Sequence, residues 1–152
     1  MEPAPRSRRS IALTRVEKWF VYSAAIGVWA SGALWLLFKY FMRMEGEFGP
    51  EHNPLEPLWQ KLHGVFGYYA MFAIGLLWSI HVVSGWSARW RRLSGGTLFG
   101  IAVFLAISGV ALYYISDQDW RDWTGVVHWA VGLAVLAVFL IHWLSRSRPS
   151  RR

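Results

Sequence analysis

Four histidines of this 152-residue chain lie inside long apolar stretches, where an imidazole ring has no water to bond. His63 and His81 lie near the two ends of one stretch, and His128 and His142 near the two ends of another. Polar groups in such surroundings require a partner, and neutral imidazole is a common metal ligand. The pattern predicts two binding levels, one near each membrane face, with one imidazole from each stretch at each level.

The apolar stretches are long enough to be membrane helices. The chain is 55% hydrophobic and contains 11 Trp, and a spanning helix needs about 20 predominantly apolar residues. We therefore expect an all-α membrane protein, a four-helix transmembrane bundle within residues 16–146, with basic and flexible tails at 1–15 and 147–152. The predicted spans are residues 19–41, 58–86, 98–115 and 125–144.

The distribution of charge predicts the orientation of the bundle. Twelve of the 16 Lys and Arg lie before the first span, between the second and third, or after the fourth, whereas seven of the nine Asp and Glu lie in the two opposite loops. By the positive-inside rule both termini are cytoplasmic, and spans two and four run in parallel. The net charge of +7 then indicates topology and attraction to anionic membrane lipid, with no role for nucleic acid.

Helical phase places the histidines of each span on one face. At about 100° per residue, the step from His63 to His81 is five full turns, and the step from His128 to His142 falls about 40° short of four. Three of the four histidines have glycine four residues later, where a missing side chain clears room beside the imidazole for a flat macrocycle. These glycines are Gly67, Gly85 and Gly132.

The two histidine steps differ in length. The 18 residues on span two and the 14 on span four differ by about 6 Å of helical rise. We expect helix tilt, or a loosened first turn at Gly64 or Gly67, to absorb the difference. If neither does, one level holds no cofactor.

Haem fits this donor set better than other cofactors. With no cysteine, the chain has no iron–sulfur cluster and no covalently attached c-type haem. A single zinc site would need its ligands at one point, and a di-iron site would need carboxylates inside the spans. We expect two non-covalent haem b groups, one between His63 and His128 near the outer face and one between His81 and His142 near the inner face, or one haem if the outer pair fails.

Haem propionates require cationic partners at the membrane edge. The candidates are Lys61 and Arg43 outside, and Arg89, Arg92 or Arg146 inside, although the same side chains would also extend to the interface without a ligand. His52, in the external loop, is interpreted as a solvated residue.

Two alternatives remain open at this point. Each histidine would instead hydrogen-bond a neighbouring helix, as polar residues of membrane bundles do, which would make the chain a haem-free structural or assembly subunit. A transporter or channel is disfavoured because the spans lack the broken helices and buried charges of ion pathways.

An internal repeat links the first and third spans. Residues 30–35 read Ala-Ser-Gly-Ala-Leu-Trp and residues 107–113 read Ile-Ser-Gly-Val-Ala-Leu-Tyr, and each precedes an acidic loop and a histidine-bearing helix. The chain would then be two copies of a helix pair. The alternative is that Ser-Gly recurs because small residues are common where membrane helices cross.

Three segments resemble the small four-helix di-haem cytochromes b related to the cytochrome b subunits of formate dehydrogenases and nickel–iron hydrogenases. They are LHGVFGYYAMFAIGLLWSIHVVSG, VHWAVGLAVLAVFLIHWL and the Ser108-Gly109-Val-Ala-Leu-Tyr-Tyr run. The resemblance covers spans two to four well, and span one through its Ser-Gly stretch. The first span has no histidine, unlike that of hydrogenase-type subunits, and the 18-residue step on span two is a second departure.

The resemblance implies an electron-transfer function. The two haems would carry electrons across a bacterial inner membrane, as a multi-pass protein, between a quinone or quinol pool and a partner redox protein. Because little of the chain lies outside the spans, catalysis would belong to another subunit of a quinone-linked oxidoreductase, or the partner would be a soluble or periplasmic electron carrier.

Overall fold

A computed structural model describes residues 13–83, 86 and 92–144. This part of the chain contains four α-helices: α1 (Arg15–Tyr40), α2 (Glu56–Leu77), α3 (Arg92–Tyr114) and α4 (Gln118–Leu144). A π-helical turn, Trp78–Val82, continues α2, and a hairpin of β1 (Met44–Gly46) and β2 (Gly49–Glu51) joins α1 to α2. The expected flexible tails lie outside the described residues, apart from residues 13–15.

Side chains cap the starts of α1 and α4. Thr14 Oγ1 accepts the Glu17 N–H at 3.2 Å, and the Glu17 carboxylate accepts the Thr14 N–H at 2.7 Å, which is a capping box at the start of α1. At the start of α4, Asp117 Oδ1 accepts the Trp120 N–H at 3.0 Å. The predicted loop between the spans 98–115 and 125–144 is therefore mostly helical, and the predicted start of the last span was wrong, because Asp117 caps a helix that begins at Gln118.

The loop between α1 and α2 contains strands that the sequence did not predict. The strands pair antiparallel, with Gly46 opposite Gly49, whose φ of 119° favours glycine. Asn53 then donates from Nδ2 to the Met42 carbonyl at 3.0 Å, which ties the end of the hairpin to the end of α1. The loop therefore holds its two helix ends close together.

Ring contacts establish how the helices run. Phe20 lies against Tyr69 and Phe38 against Trp59, with ring centres 6.1 and 6.2 Å apart, so α1 and α2 are antiparallel. α1 also contacts α4, and α3 packs along α4. The four helices alternate in direction, which makes α2 and α4 parallel, as the charge pattern predicted.

Small residues mark the closest approaches between helices. The buried residues of the described part are Ala24, Ala73, Ser31 and Ser108. At Gly27 of α1, an added Cβ would collide with the Phe66 ring of α2. The helices therefore approach closely through small side chains, as membrane helices do, and direct large apolar side chains outward.

Three helices, α1, α3 and α4, are long and apolar enough to cross a membrane. Gln60, Lys61 and His63 lower the hydropathy of α2. The structure is thus that of a helical protein with several candidate membrane spans. A membrane span at residues 58–86 and the cytoplasmic position of the termini stay predictions.

The helical irregularity lies after the C-terminal end of α2, in the π-helical turn. Gly64 and Gly67 are within regular α-helix, so the loosened first turn expected there does not occur. The wide turn surrounds His81 instead, where the Val83 N–H bonds to the Trp78 carbonyl. A π turn takes up an extra residue, so His81 lies closer to His63 than 18 α-helical residues would place it, and such turns are frequent at functional sites.

Candidate functional site

Two of the four histidines lie close together, on different helices. The rings of His63 on α2 and His128 on α4 have their centres 6.2 Å apart, with planes at 85°. Both rings are partly buried. These two side chains, which are 65 residues apart in the sequence, meet because α2 and α4 run in parallel.

The His63 ring is fixed by the backbone of α1. Its Nδ1 lies 2.9 Å from the Val28 carbonyl oxygen and 3.4 Å from Ser31 Oγ. A carbonyl oxygen only accepts hydrogen bonds, so His63 Nδ1 carries the proton. Nε2 therefore carries the lone pair that could bind a metal.

The His128 ring is fixed by a hydroxyl of α3. Its Nδ1 lies 2.8 Å from Ser108 Oγ. Ser108 Oγ also lies 2.8 Å from the Phe104 carbonyl oxygen, to which it can donate its single proton. With that proton on Phe104, Ser108 accepts the Nδ1 proton of His128, and the lone pair of His128 lies on Nε2, as in His63.

A glycine beside each serine makes these contacts possible. A Cβ on Gly32 would lie 2.9 Å from His63 Cε1, and a Cβ on Gly109 would lie 3.3 Å from His128 Cε1. The first distance is shorter than real Cβ contacts, and the second is tighter than most of them. The Ser-Gly repeat seen in the sequence is therefore the surface on which His63 and His128 pack.

His142 contacts a third Ser-Gly pair. Its Nδ1 lies 2.9 Å from Ser94 Oγ on α3, and a Cβ on Gly95 would lie 3.8 Å from its Cε1. Three histidines of α2 and α4 therefore contact a serine hydroxyl of the helix that precedes them in the chain.

His81 differs from the other three histidines. Its Nδ1 is buried, with no hydrogen-bond partner among the described residues, and the ring lies within the π-helical turn. An unsatisfied buried imidazole nitrogen is costly, so this position calls for a physical explanation.

Space is available at two of the glycines expected to flank a macrocycle. An added Cβ on Gly67 would have nothing within 4 Å, and one on Gly132 would lie 3.9 Å from Leu105 Cδ2. Gly85 lies outside the described residues. Gly67 therefore marks open space four residues after His63.

The structure gives few contacts for the cationic side chains expected to bind the haem propionates. Lys61 and Arg43 are exposed, and Arg89 and Arg146 lie outside the described residues. Arg92 donates from Nε to the Trp86 carbonyl at 2.8 Å. Other donors, not identified from the sequence, are buried indole N–H groups that lack an acceptor in the described part of the chain: Trp29, Trp35, Trp59 and Trp129.

The donor set suits a macrocyclic cofactor better than a bare ion. In the described ranges, no group of three or more His, Cys, Asp or Glu could hold a metal ion. Two neighbouring imidazoles would supply two ligands to an iron ion, and a porphyrin would supply the other four nitrogens. Imidazoles in apolar surroundings are the kind of residue that would hold a haem.

Comparisons of the chain with models of protein families, with curated proteins and with solved structures found no match.

Proposed function

We propose that this chain is a multi-pass b-type cytochrome that carries electrons across a bacterial inner membrane. His63 and His128 would hold one haem near the outer face, and His81 and His142 a second near the inner face. Residues 58–86 would form the second of four spans, and both termini would be cytoplasmic.

The opposed outer histidines carry this proposal. Metal–imidazole bonds are about 2 Å long, so two rings that share one metal ion have centres roughly 6 Å apart. The centres of His63 and His128 are 6.2 Å apart, and each ring has its Nδ1 proton bonded to a neighbouring helix. Two deprotonated Nε2 atoms are the ligands that bis-histidine haem requires.

Haem, when bound, supplies a one-electron redox couple. The chain supplies position and environment. Val28 and Ser108 orient the axial rings, Gly67 leaves room beside His63, and the apolar faces exclude water.

The second level is supported by His81 and His142. His81 has a buried Nδ1 without a partner among the described residues, and His142 contacts Ser94 on α3. Haems at both levels would connect the two faces of the membrane. The expected donor and acceptor are a quinone or quinol and a partner redox protein, with catalysis in another subunit.

A haem-free structural subunit is the second candidate. Its support is that His63, His128 and His142 already bond neighbouring helices, as interhelical polar contacts do. It does not explain the unpartnered nitrogen of His81.

Quinol reduction separates the two candidates. The purified chain, reconstituted in vesicles with haem, is mixed with a soluble quinol under anaerobic conditions, and the visible spectrum is followed. The electron-transfer function predicts rapid appearance of a reduced b-type spectrum, and a His63→Ala, His81→Ala double variant is the control. Haem that dithionite reduces but no quinol reduces would remove the quinone link, and a chain without haem would favour the structural subunit.

A further inference from the structure

The two outer histidines have unequal hydrogen-bond acceptors. His63 Nδ1 bonds a peptide carbonyl at 2.9 Å, and the Ser31 hydroxyl lies farther off, at 3.4 Å. His128 Nδ1 bonds the Ser108 hydroxyl at 2.8 Å. In the described part of the chain, Ser108 is thus the hydrogen-bond partner of His128 Nδ1. Ser31 is the more distant of the two partners of His63 Nδ1, after the Val28 carbonyl.

The two serines are otherwise closely equivalent. Ser31 Oγ donates to the carbonyls three and four residues earlier, at 3.2 and 2.6 Å, and Ser108 Oγ does the same at 3.3 and 2.8 Å. Both are buried and both precede a glycine. The same substitution at the two sites therefore removes the same local bonds and differs in its effect on the histidine.

An acceptor on Nδ1 changes the ligand strength of Nε2. A hydrogen bond from Nδ1 fixes the tautomer and ring orientation and makes the ligating nitrogen more basic. A more basic ligand stabilises ferric over ferrous iron and so lowers the reduction potential. The group that accepts the Nδ1 proton is thus part of the control of the haem.

We propose that Ser108 is the positioning residue of His128, and that its hydroxyl fixes the ligating tautomer and lowers the potential of the outer haem. The corresponding role for His63 belongs to the Val28 carbonyl, and Ser31 contributes little. This inference rests on the proposed haem function.

Matched serine variants test the assignment. Ser108→Ala leaves the His128 N–H without its acceptor, and we expect about 10- to 100-fold weaker binding of the outer haem, as for other residues that support metal ligands. The potential of any haem retained should rise. Ser31→Ala should change affinity by less than about threefold, because Val28 still supports His63. Equal effects of the two variants, or a larger effect of Ser31→Ala, would overturn the proposal.

Two further variants keep the test decisive if Ser108→Ala folds poorly. Ser108→Thr retains the hydroxyl and should restore the wild-type potential, whereas Ser108→Cys retains the size with a weaker acceptor and should raise it. Helix content by circular dichroism checks the fold of each variant. An unchanged potential in Ser108→Cys contradicts the proposal.

The outcomes for the two proposals are distinguishable. Wild-type protein without haem overturns both the proposed function and this inference. Wild-type protein with haem, together with indistinguishable Ser108 and Ser31 variants, overturns only the role of Ser108.

Discussion

The rings of His63 and His128 face each other 6.2 Å apart, at 85°, and each is held by a different helix pair. α1 fixes His63 through Val28, and α3 fixes His128 through Ser108. Each pair of antiparallel helices therefore presents one imidazole, and a group bound between the rings would join the two halves of the bundle.

Removal of either outer histidine should abolish the same haem. His63→Ala and His128→Ala should each halve the haem content of a two-haem chain, because one imidazole cannot supply both axial ligands. The double variant should lose no more than either single variant, since the two residues act as a unit. Haem content per chain is measured by extraction, with His52→Ala as the control, because His52 pairs with Glu56 at 2.7 Å outside the bundle. Loss of both haems in the double variant would contradict the pairing.

The inner pair gives an independent prediction. His81→Ala and His142→Ala should each remove the other haem and leave the spectrum of the outer haem intact. Each variant is titrated with haem and its stoichiometry is read at saturation. Two haems retained in His81→Ala would show that the unpartnered nitrogen of His81 serves another purpose.

The space at Gly67 should have opposite effects in the haem-free and haem-bound protein. Gly67→Ala meets no atom within 4 Å, so it should stabilise the haem-free helix by about 1 kcal/mol, as alanine does over glycine. With haem present the added methyl would occupy the space expected for the macrocycle, and haem affinity should fall. Gly75→Ala is the matched control, also with nothing within 4 Å and about 120° around α2 from His63. Thermal unfolding and haem titration of both variants provide the two measurements. Equal haem affinity in the two variants would argue against a haem beside Gly67.

Gly32 should be intolerant of any side chain. A Cβ there would lie 2.9 Å from His63 Cε1, so Gly32→Ala should displace the ring and weaken the Val28 bond. We expect a loss of outer haem comparable to that in His63→Ala, with helix content preserved. Gly100→Ala, which has open space around the added atom, is the control. Full haem retention in Gly32→Ala would show that the ring moves without consequence.

The absence of cysteine allows a direct test of topology. Single cysteines introduced at Ser7, Asn53, Ser87 and Ser147 should react with an impermeant maleimide from outside intact cells only at Asn53. Permeabilised cells should label all four positions. Labelling of a cysteine at Ser147 from outside would place the C-terminus on the outer side, which would contradict a bundle of four spans with a cytoplasmic N-terminus.

The sequence predicted the helices and the histidines better than it predicted their supports. Hydropathy located the apolar segments, and matched depth predicted that His63 would lie near His128. The acceptors could not be assigned, because the Val28 carbonyl carries no sequence signal and Ser108 meets His128 only when α3 packs on α4. The Ser-Gly repeat was the one sequence signal for the serine that contacts His128. Small residues are also common at helix crossings, so the repeat alone did not indicate a contact with histidine. The sequence predicts that the last span starts at residue 125, whereas α4 begins at Gln118. Asp117 precedes this start, and aspartate is a strong helix cap.

The central claim is that this chain binds haem through two pairs of histidines. The most direct test is the haem content and dithionite-reduced minus oxidised spectrum of the chain purified from haem-replete cells. We expect a b-type spectrum and two non-covalent haems per chain, both extractable with acidified solvent. A chain that is folded by circular dichroism, carries no haem and takes up none on titration would contradict the account.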